Sequence, residues 1–297
     1  MRTCPTCGFD NRLHATRCYK CGSASRPLPE KRALSKGYFL GKTFRFDLQT
    51  RIAKGRNSEL WLAHDLKFRR SVIALKVVKP AISRQKGAEA ALRRVSLHVI
   101  PHAHPNLARI HSFETDEKFA FFVVEYIKGP ALSDVLKRRK KFTQDEVLWV
   151  IREVCTGLRY LHKLRLCHGD LKVSNLMLNQ APPEDRLPTI PMSRSHPHQC
   201  IKVCDEIISR VLEDLRQKKR RISPGQWKIK DDAFCLAKIL YRLYKGRKMP
   251  QKPEMKKIAS SLPPRLAQVF DFCAKSPDRT HRNMADILIE VIEKGYA

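Results

Sequence analysis

The stretch from Leu166 to Asn179, Leu-Cys-His-Gly-Asp-Leu-Lys-Val-Ser-Asn-Leu-Met-Leu-Asn, constrains this chain more than any other. Ahead of it Val147, Val150, Ile151, Val154, Leu158 and Leu161 recur every three or four residues, which predicts a buried helix. Leu176 to Leu178 behind it predicts a short apolar strand. Between the two, Asp170, Lys172 and Asn175 crowd a carboxylate, an ammonium and a carboxamide onto one turn held by apolar neighbours. Such a turn either ends a helix with ordinary surface polar groups or serves phosphoryl transfer. That chemistry needs a base to orient a hydroxyl, a cation for developing charge, and a ligand for Mg²⁺.

At 297 residues and 42% hydrophobic, the chain has room for one large or two medium domains plus small attachments, and global disorder is excluded. The formal charge of +30 implies attraction to nucleic acid, anionic membrane or acidic protein, and says nothing about fold. No apolar run reaches the roughly 18 residues of a membrane span, and the longest candidate, Phe119 to Ile127, contains Glu125. No apolar segment follows Met1-Arg2-Thr3-Cys4, so no secretory signal peptide is expected. Four of the ten cysteines stand at the N-terminus and six are scattered singly, which favours a reducing compartment. Together these predict a cytoplasmic location.

Cys4-Pro-Thr-Cys7-Gly8 and Cys18-Tyr-Lys-Cys21-Gly22 are two C-x-x-C-G units separated by ten residues. Each predicts a tight knuckle aiming two thiolates at one ion, and four thiolates at tetrahedral reach select Zn²⁺. Residues 1–23 resemble a zinc ribbon; two disulfides are the other reading, which the missing signal peptide disfavours. A segment this short buries no core, so the metal would supply its folding energy. His14 is surplus to a four-cysteine site. Arg2, Arg12, Arg17 and Lys20 make the module basic, suited to nucleic acid or an acidic partner. Residues 24–37, with Pro27 and Pro29 and no periodicity, predict a linker.

Phe44–Ile52, Leu60–Ala63 and Val72–Val78 predict three successive strands, the first two joined by the polar turn Ala53–Ser58. Ala88–Val99 predicts a helix, and His104–Ile110 and Phe119–Tyr126 two more strands. Lys76 inside an apolar strand demands an anion, either a phosphate or a structural carboxylate.

In order, residues 45–291 resemble the eukaryotic-type protein kinase family. Ile52–Leu60 is similar to its Gly-rich loop, keeping Gly55 while Ala53 and Ser58 replace the flanking glycines. Val72-Ile-Ala-Leu-Lys76 resembles the V-A-I-K strand, His104-Pro-Asn106 the turn after the regulatory helix, and Val123–Gly129 the hinge. His168–Asn175 resembles the catalytic loop, Val203-Cys-Asp205 the metal-binding segment, Asp232–Tyr241 the long buried helix, and Ala274–Leu288 the closing helical stretch. The resemblance implies an α+β, two-lobed fold, with a small lobe over about 38–125 and a large helical lobe over about 130–297. It implies Asp170 and Lys172 as catalytic residues and Asn175 and Asp205 as Mg²⁺ ligands. It implies an ATP site in which Lys76 and Gly55 serve the phosphates and Leu60, Ala74 and Met177 enclose the adenine. The backbone at Glu125 and Ile127 would bond the adenine edge.

Four departures accompany the resemblance. Two loop glycines are missing; Gly169 replaces the Arg that reads a phosphorylated activation loop; and Glu206 and Ile207 replace Phe and Gly after Asp205. The helix acid expected opposite Lys76 falls near Arg94 or Val95, leaving Glu89 in a shifted register, or Glu206, as its counter-ion. Only 27 positions separate Asp205 from Asp232, with no A-P-E between them, so Arg279 lacks its usual mate and the peptide platform is expected to be rebuilt.

Gln180–Gln199 carries five prolines and predicts an extended insert, with His196 and His198 as solvated residues. Lys137–Lys141 suits the C-terminus of a helix beginning at Leu132. Basic residues ahead of Ser223 read as a basic loop or as a phosphorylation site. The resulting expectation is a serine/threonine kinase acting on a protein substrate or client of acidic character. A pseudokinase scaffold and a nucleic-acid-binding protein using the ribbon are the alternatives.

Overall fold

The computed structural model describes residues 2–4, 6–11, 17–23, 34–41, 43, 45–101, 103–180, 200–205, 208–217, 229–275 and 284–294. Near the N-terminus, β1 (Arg2–Thr3) pairs antiparallel with β2 (Asp10–Asn11). Then comes a curled six-stranded sheet built from β3 (Phe39–Leu40), β4 (Phe46–Lys54), β5 (Ser58–Asp65), β6 (Ser71–Val78), β7 (Ile110–Thr115) and β8 (Ala120–Val124). Its order is β3-β4-β5-β6-β8-β7 and every pairing is antiparallel.

The period-two alternation of a strand sends neighbouring side chains to opposite faces. On β6, Ile73, Leu75 and Val77 join Phe46, Leu48, Trp61, Phe121 and Val123 in one cluster. Val78 on the other face packs with Phe122 and with Leu92, Val95 and Val99 of α2 (Ala88–Val99). Lys76 shares Val78's parity, so the strand that hides its stem also turns its ammonium toward helix and cleft. A single turn, α1 (Pro80–Ser83), precedes α2.

The fourth strand lies further along than the sequence predicts: it begins at Ile110, and His104 to Arg109 are not part of it. Buried Asn106 explains the shift. Its side-chain amide donates to Glu153 at 2.7 Å and to the Ile201 carbonyl at 3.1 Å, while Leu107 bridges to Val203. These residues are committed to the large lobe, and Pro105 has no N–H for a ladder.

The large lobe is helical: α3 (Leu132–Arg139), α4 (Gln144–Lys163), α5 (Ile208–Arg216), α6 (Ile229–Lys245), α7 (Met255–Ser260), α8 (Pro264–Lys275) and α9 (Met284–Lys294). Thr143 and Glu146 close a reciprocal capping box at the start of α4, worth about 1 kcal/mol for the cap itself. The basic run after Leu132 behaves as its composition suggests, with Lys137, Arg138 and Arg139 in the last turn of α3 and Arg139 paired to Glu146 at 2.8 Å. β9 (Leu176–Leu178) and β10 (Ile201–Val203) form a two-stranded ribbon behind the turn that carries Asp170. Residues 181–199 of the proline-rich insert between them, including His196 and His198, lie outside the described residues, as do His14, Ser223 and Arg279.

The chain crosses between lobes at residues 125–131. Glu125 pairs with Lys202 of β10 at 3.0 Å, Leu178 N–H donates to the Pro130 carbonyl at 3.0 Å, and Ala131 bridges to Met177. At Gly129 a Cβ would stand 2.0 Å from the Leu178 carbonyl oxygen, so only glycine permits this approach.

Candidate active site and thiol cluster

The turn that carries Asp170 hangs from Asp232, a buried carboxylate in the first turn of α6. It accepts from the backbone N–H of His168 at 2.8 Å and of Gly169 at 3.1 Å, and its carboxylate also meets His162 Nε2 at 3.0 Å. Gly169 sits at φ +78°, a left-handed conformation that favours glycine. Completely buried His168 accepts from Asp170 N–H at Nδ1 (3.2 Å), which leaves Nε2–H to donate to the Cys204 carbonyl at 3.0 Å. Burial lowers its pKa, against the opposing field of Asp232.

From this frame Asp170 projects half-exposed, 2.5 Å from the Lys172 ammonium. Buried Asn175 donates to the Asp170 carbonyl at 2.9 Å, and its own carbonyl accepts from Cys204 N–H at 2.8 Å. One turn therefore fixes Asp170, Lys172 and Asn175 together and couples them to Asp205. Asp205 occupies a left-handed conformation, φ +69°, uncommon for a residue with a side chain and typical of functional turns.

Lys76 meets Asp205 directly, and Ser209 joins both: it accepts from Lys76 at 3.0 Å and donates to the other Asp205 oxygen. The counter-ion of Lys76 is thus Asp205. Glu89 does not serve: it pairs with Arg93 at 2.8 Å on the exposed side of α2, while Val95 is buried in the core. Glu206 lies outside the described residues. Burial pulls the Lys76 pKa down to about 7, with Asp170 opposing and Lys172 adding to the shift.

The remaining nucleotide-site candidates lie on the sheet, on the crossing between the lobes and on β9. Gly55 closes the β4–β5 turn through its N–H to the Ser58 carbonyl, 2.9 Å. Leu60 stands opposite both Ala53 and Lys76 in register, and Ala74 opposite Leu62 and Val124. Met177 is half-buried on β9. Ile127 is buried and its backbone has no hydrogen-bond partner among the described residues, whereas the Glu125 N–H is taken by the Arg109 carbonyl. The Glu125 side chain faces away, accepting from Arg109 N–H at 3.0 Å and from Lys202.

Three residues that the sequence reading missed enter the site from α5 and the loop above it. Ser209 is one; Glu213 and Asn57 are the others, with Asn57 Nδ2 donating to Glu213 at 3.1 Å. The signal was present: Ile208, Val211, Leu212 and Leu215 are buried at helical spacing directly after Asp205.

At the N-terminus the two knuckles repeat one bond pattern. Cys4 N–H donates to the Phe9 carbonyl and Gly8 N–H to the Cys4 carbonyl; Cys18 N–H donates to Ser23 and Gly22 N–H to Cys18, each at 2.9 Å. Gly8 and Gly22 both take φ +70°. The four sulfur atoms of Cys4, Cys7, Cys18 and Cys21 lie within 4.8 Å of one another. Asn11 Nδ2 and Lys20 N–H both donate to the Cys18 sulfur at 3.4 Å, and the Ser23 hydroxyl leads the lowering of the Cys4 thiol to about 5. Converging sulfurs supplied with N–H donors fit a thiophilic divalent cation.

Among known proteins, the family model of the protein kinase domain matches residues 46–294. The chain is 35% identical over 130 residues to the inactive serine/threonine-protein kinase PLK5 of Mus musculus, covering 43% of this chain and 22% of that protein. It is 31% identical over 134 residues to Aurora kinase B of Danio rerio, covering 45% and 41% respectively. These matches thus span less than half the length of the curated relatives. The Mycobacterium tuberculosis PknI kinase domain superposes with a TM-score of 0.62 at 19% identity, over 87% of this chain and all of that one. No described helix is long and apolar enough to cross a membrane.

Proposed function

The chain belongs to the protein kinase family, and from that premise we propose that it transfers the γ-phosphoryl group of ATP to a serine or threonine hydroxyl of a protein. The observation that carries this reading is the single turn that presents Asp170, Lys172 and Asn175 and is bonded through Cys204 to Asp205. Asp170 orients the acceptor hydroxyl and takes its proton as oxygen attacks the γ-phosphorus and the bond to the ADP oxygen breaks. Lys172 offsets the charge developing on the transferring group. Lys76 would hold the nucleotide phosphates, exchanging Asp205 for them, and Asn175 and Asp205 would hold Mg²⁺. That ion would neutralise charge on the phosphate oxygens. The Ile127 backbone, unbonded among the described residues, would meet the adenine edge, with Leu60, Ala74 and Met177 enclosing the ring. Four cysteines would hold a structural Zn²⁺ that folds the N-terminal module.

Incubation of the purified protein with γ-labelled Mg-ATP and serine peptides, beside Asp170→Asn, tests this. Transfer lost in the variant is the expected result; equal label in both would sink it. A specific observation favours a second reading, a scaffold without turnover: α5 holds Lys76, Asp205 and the phosphate loop in contacts that nucleotide would have to displace. Nucleotide-dependent melting without transfer would select it.

A further inference from the structure

A cavity of about 410 Å³ opens beside the catalytic turn, between that turn and α6. Lys172 forms one wall, while Phe234, Lys238 and Arg242, on one face of α6, form another; Lys248 and Met249, beyond the end of α6, complete it. Among its described lining residues four are cations and none is acidic. Lys238 lies over the Phe234 ring, 4.9 Å from its centroid, and Lys172 leans to Asp170. Half-buried Arg242 and exposed Lys248 have no ion-pair partner among the described residues.

A half-buried guanidinium with no acidic residue among the described residues of its cavity can take an anion from outside the chain. Its planar fork suits a carboxylate in particular. The apolar floor, with Phe234 and Met249, receives a side-chain stem while the cations meet its head. Lys172 belongs both to this cavity and to the reacting centre, so an occupant lies close to the accepting hydroxyl. An extended peptide advances about 3.3 Å per residue, which puts the two within a few residues of each other.

We propose that this cavity is a specificity site that receives the carboxylate side chain of a substrate peptide, aspartate or glutamate, within a few residues of the phosphorylated serine or threonine. The proposal rests on the phosphotransfer reading and names its substrate class. The chain's overall +30 charge draws any polyanion; the cavity distinguishes where on the peptide the acid stands.

The experiment compares two fluorescent serine peptides, identical except that glutamates flank the serine in one and lysines in the other. Binding is read by anisotropy and transfer by label from Mg-ATP, on the full chain. The variants are Arg242→Glu with Lys248→Glu, and a control of equal charge change in the small lobe, Lys86→Glu with Lys118→Glu. Lys248→Glu alone, exposed and outside the helix, serves if the double variant fails to fold. At least a tenfold preference for the glutamate peptide is expected in the parent and the control, falling toward unity or reversing in the cavity variant. Equal loss in cavity and control variants would make the preference bulk charge and overturn the proposal, as would equal use of both peptides by the parent. Selective binding lost only in the cavity variant, with no transfer from any protein, would uphold the cavity and reject the phosphotransfer reading.

Discussion

Asn57, in the turn between β4 and β5, donates its side-chain amide to Glu213, a residue 156 positions later on α5. With Ser209 one turn earlier on Lys76 and Asp205, α5 fastens the loop above the cleft and the ion pair within it. Removing Glu213 therefore frees the loop. A hydrogen bond contributes about 1 kcal/mol net, so Glu213→Ala is expected to raise the affinity for a fluorescent ATP analogue about fivefold. Unchanged or weaker binding would show that the contact does not oppose nucleotide.

Ser209 tests the same lock from inside. Ser209→Ala removes a hydroxyl shared by Lys76 and Asp205 and is expected to lower stability by about 1 to 2 kcal/mol in urea unfolding. Lys76→Met should abolish nucleotide binding and leave Asp205 without its cation, at a cost of roughly 3 kcal/mol. If Lys76→Met bound nucleotide normally, the assignment of that lysine would fail.

The thiol cluster makes a separate prediction. The purified protein should carry one zinc per chain, and removing it with a strong chelator should abolish protection of amides in residues 2–23 while the main unfolding transition stays within about 2 °C. A protein that is metal-free as isolated and equally ordered after chelation would refute the site.

His168 predicts a pH dependence. Burial holds its folded pKa below the ordinary value, so the unfolded chain binds more protons as pH falls. Its stabilisation is complete above about pH 6.5, the unfolded value, and is lost progressively below it toward the folded pKa. Melting temperature should drop between pH 7 and pH 5, and His168→Gln should show a shallower drop from a lower start. An identical slope in the variant would place the proton uptake elsewhere.

How far the sequence carried can be judged residue by residue. Lys76 was legible because one charge in an apolar strand needs an anion, and strand parity fixed the face it uses. Asp170, Lys172 and Asn175 were legible because their spacing fits a single turn. The acid for Lys76 was not: the sequence offers Glu89 and Glu206, whereas the left-handed turn at Asp205 brings that carboxylate to the lysine and Glu89 is taken by Arg93. Asn106 was read as strand because its neighbours are apolar, whereas its amide answers to Glu153, 47 positions away. Long-range polar pairing leaves no periodic trace. The cavity beside α6 was hidden for a similar reason, since its cations come from three separated segments.

The approach of Gly129 to Leu178 bears on how the two lobes move. A backbone pressed against another strand, with Glu125 tied to Lys202 a few residues before it, leaves no room for one lobe to slide along the other. What remains is rotation about a short axis through this crossing, as in a door whose pins are fixed and whose leaf swings. The width of the cleft is then set by a few backbone torsions between Glu125 and Gly129, and any group that widens this joint changes the arc of the swing rather than the residues it brings together.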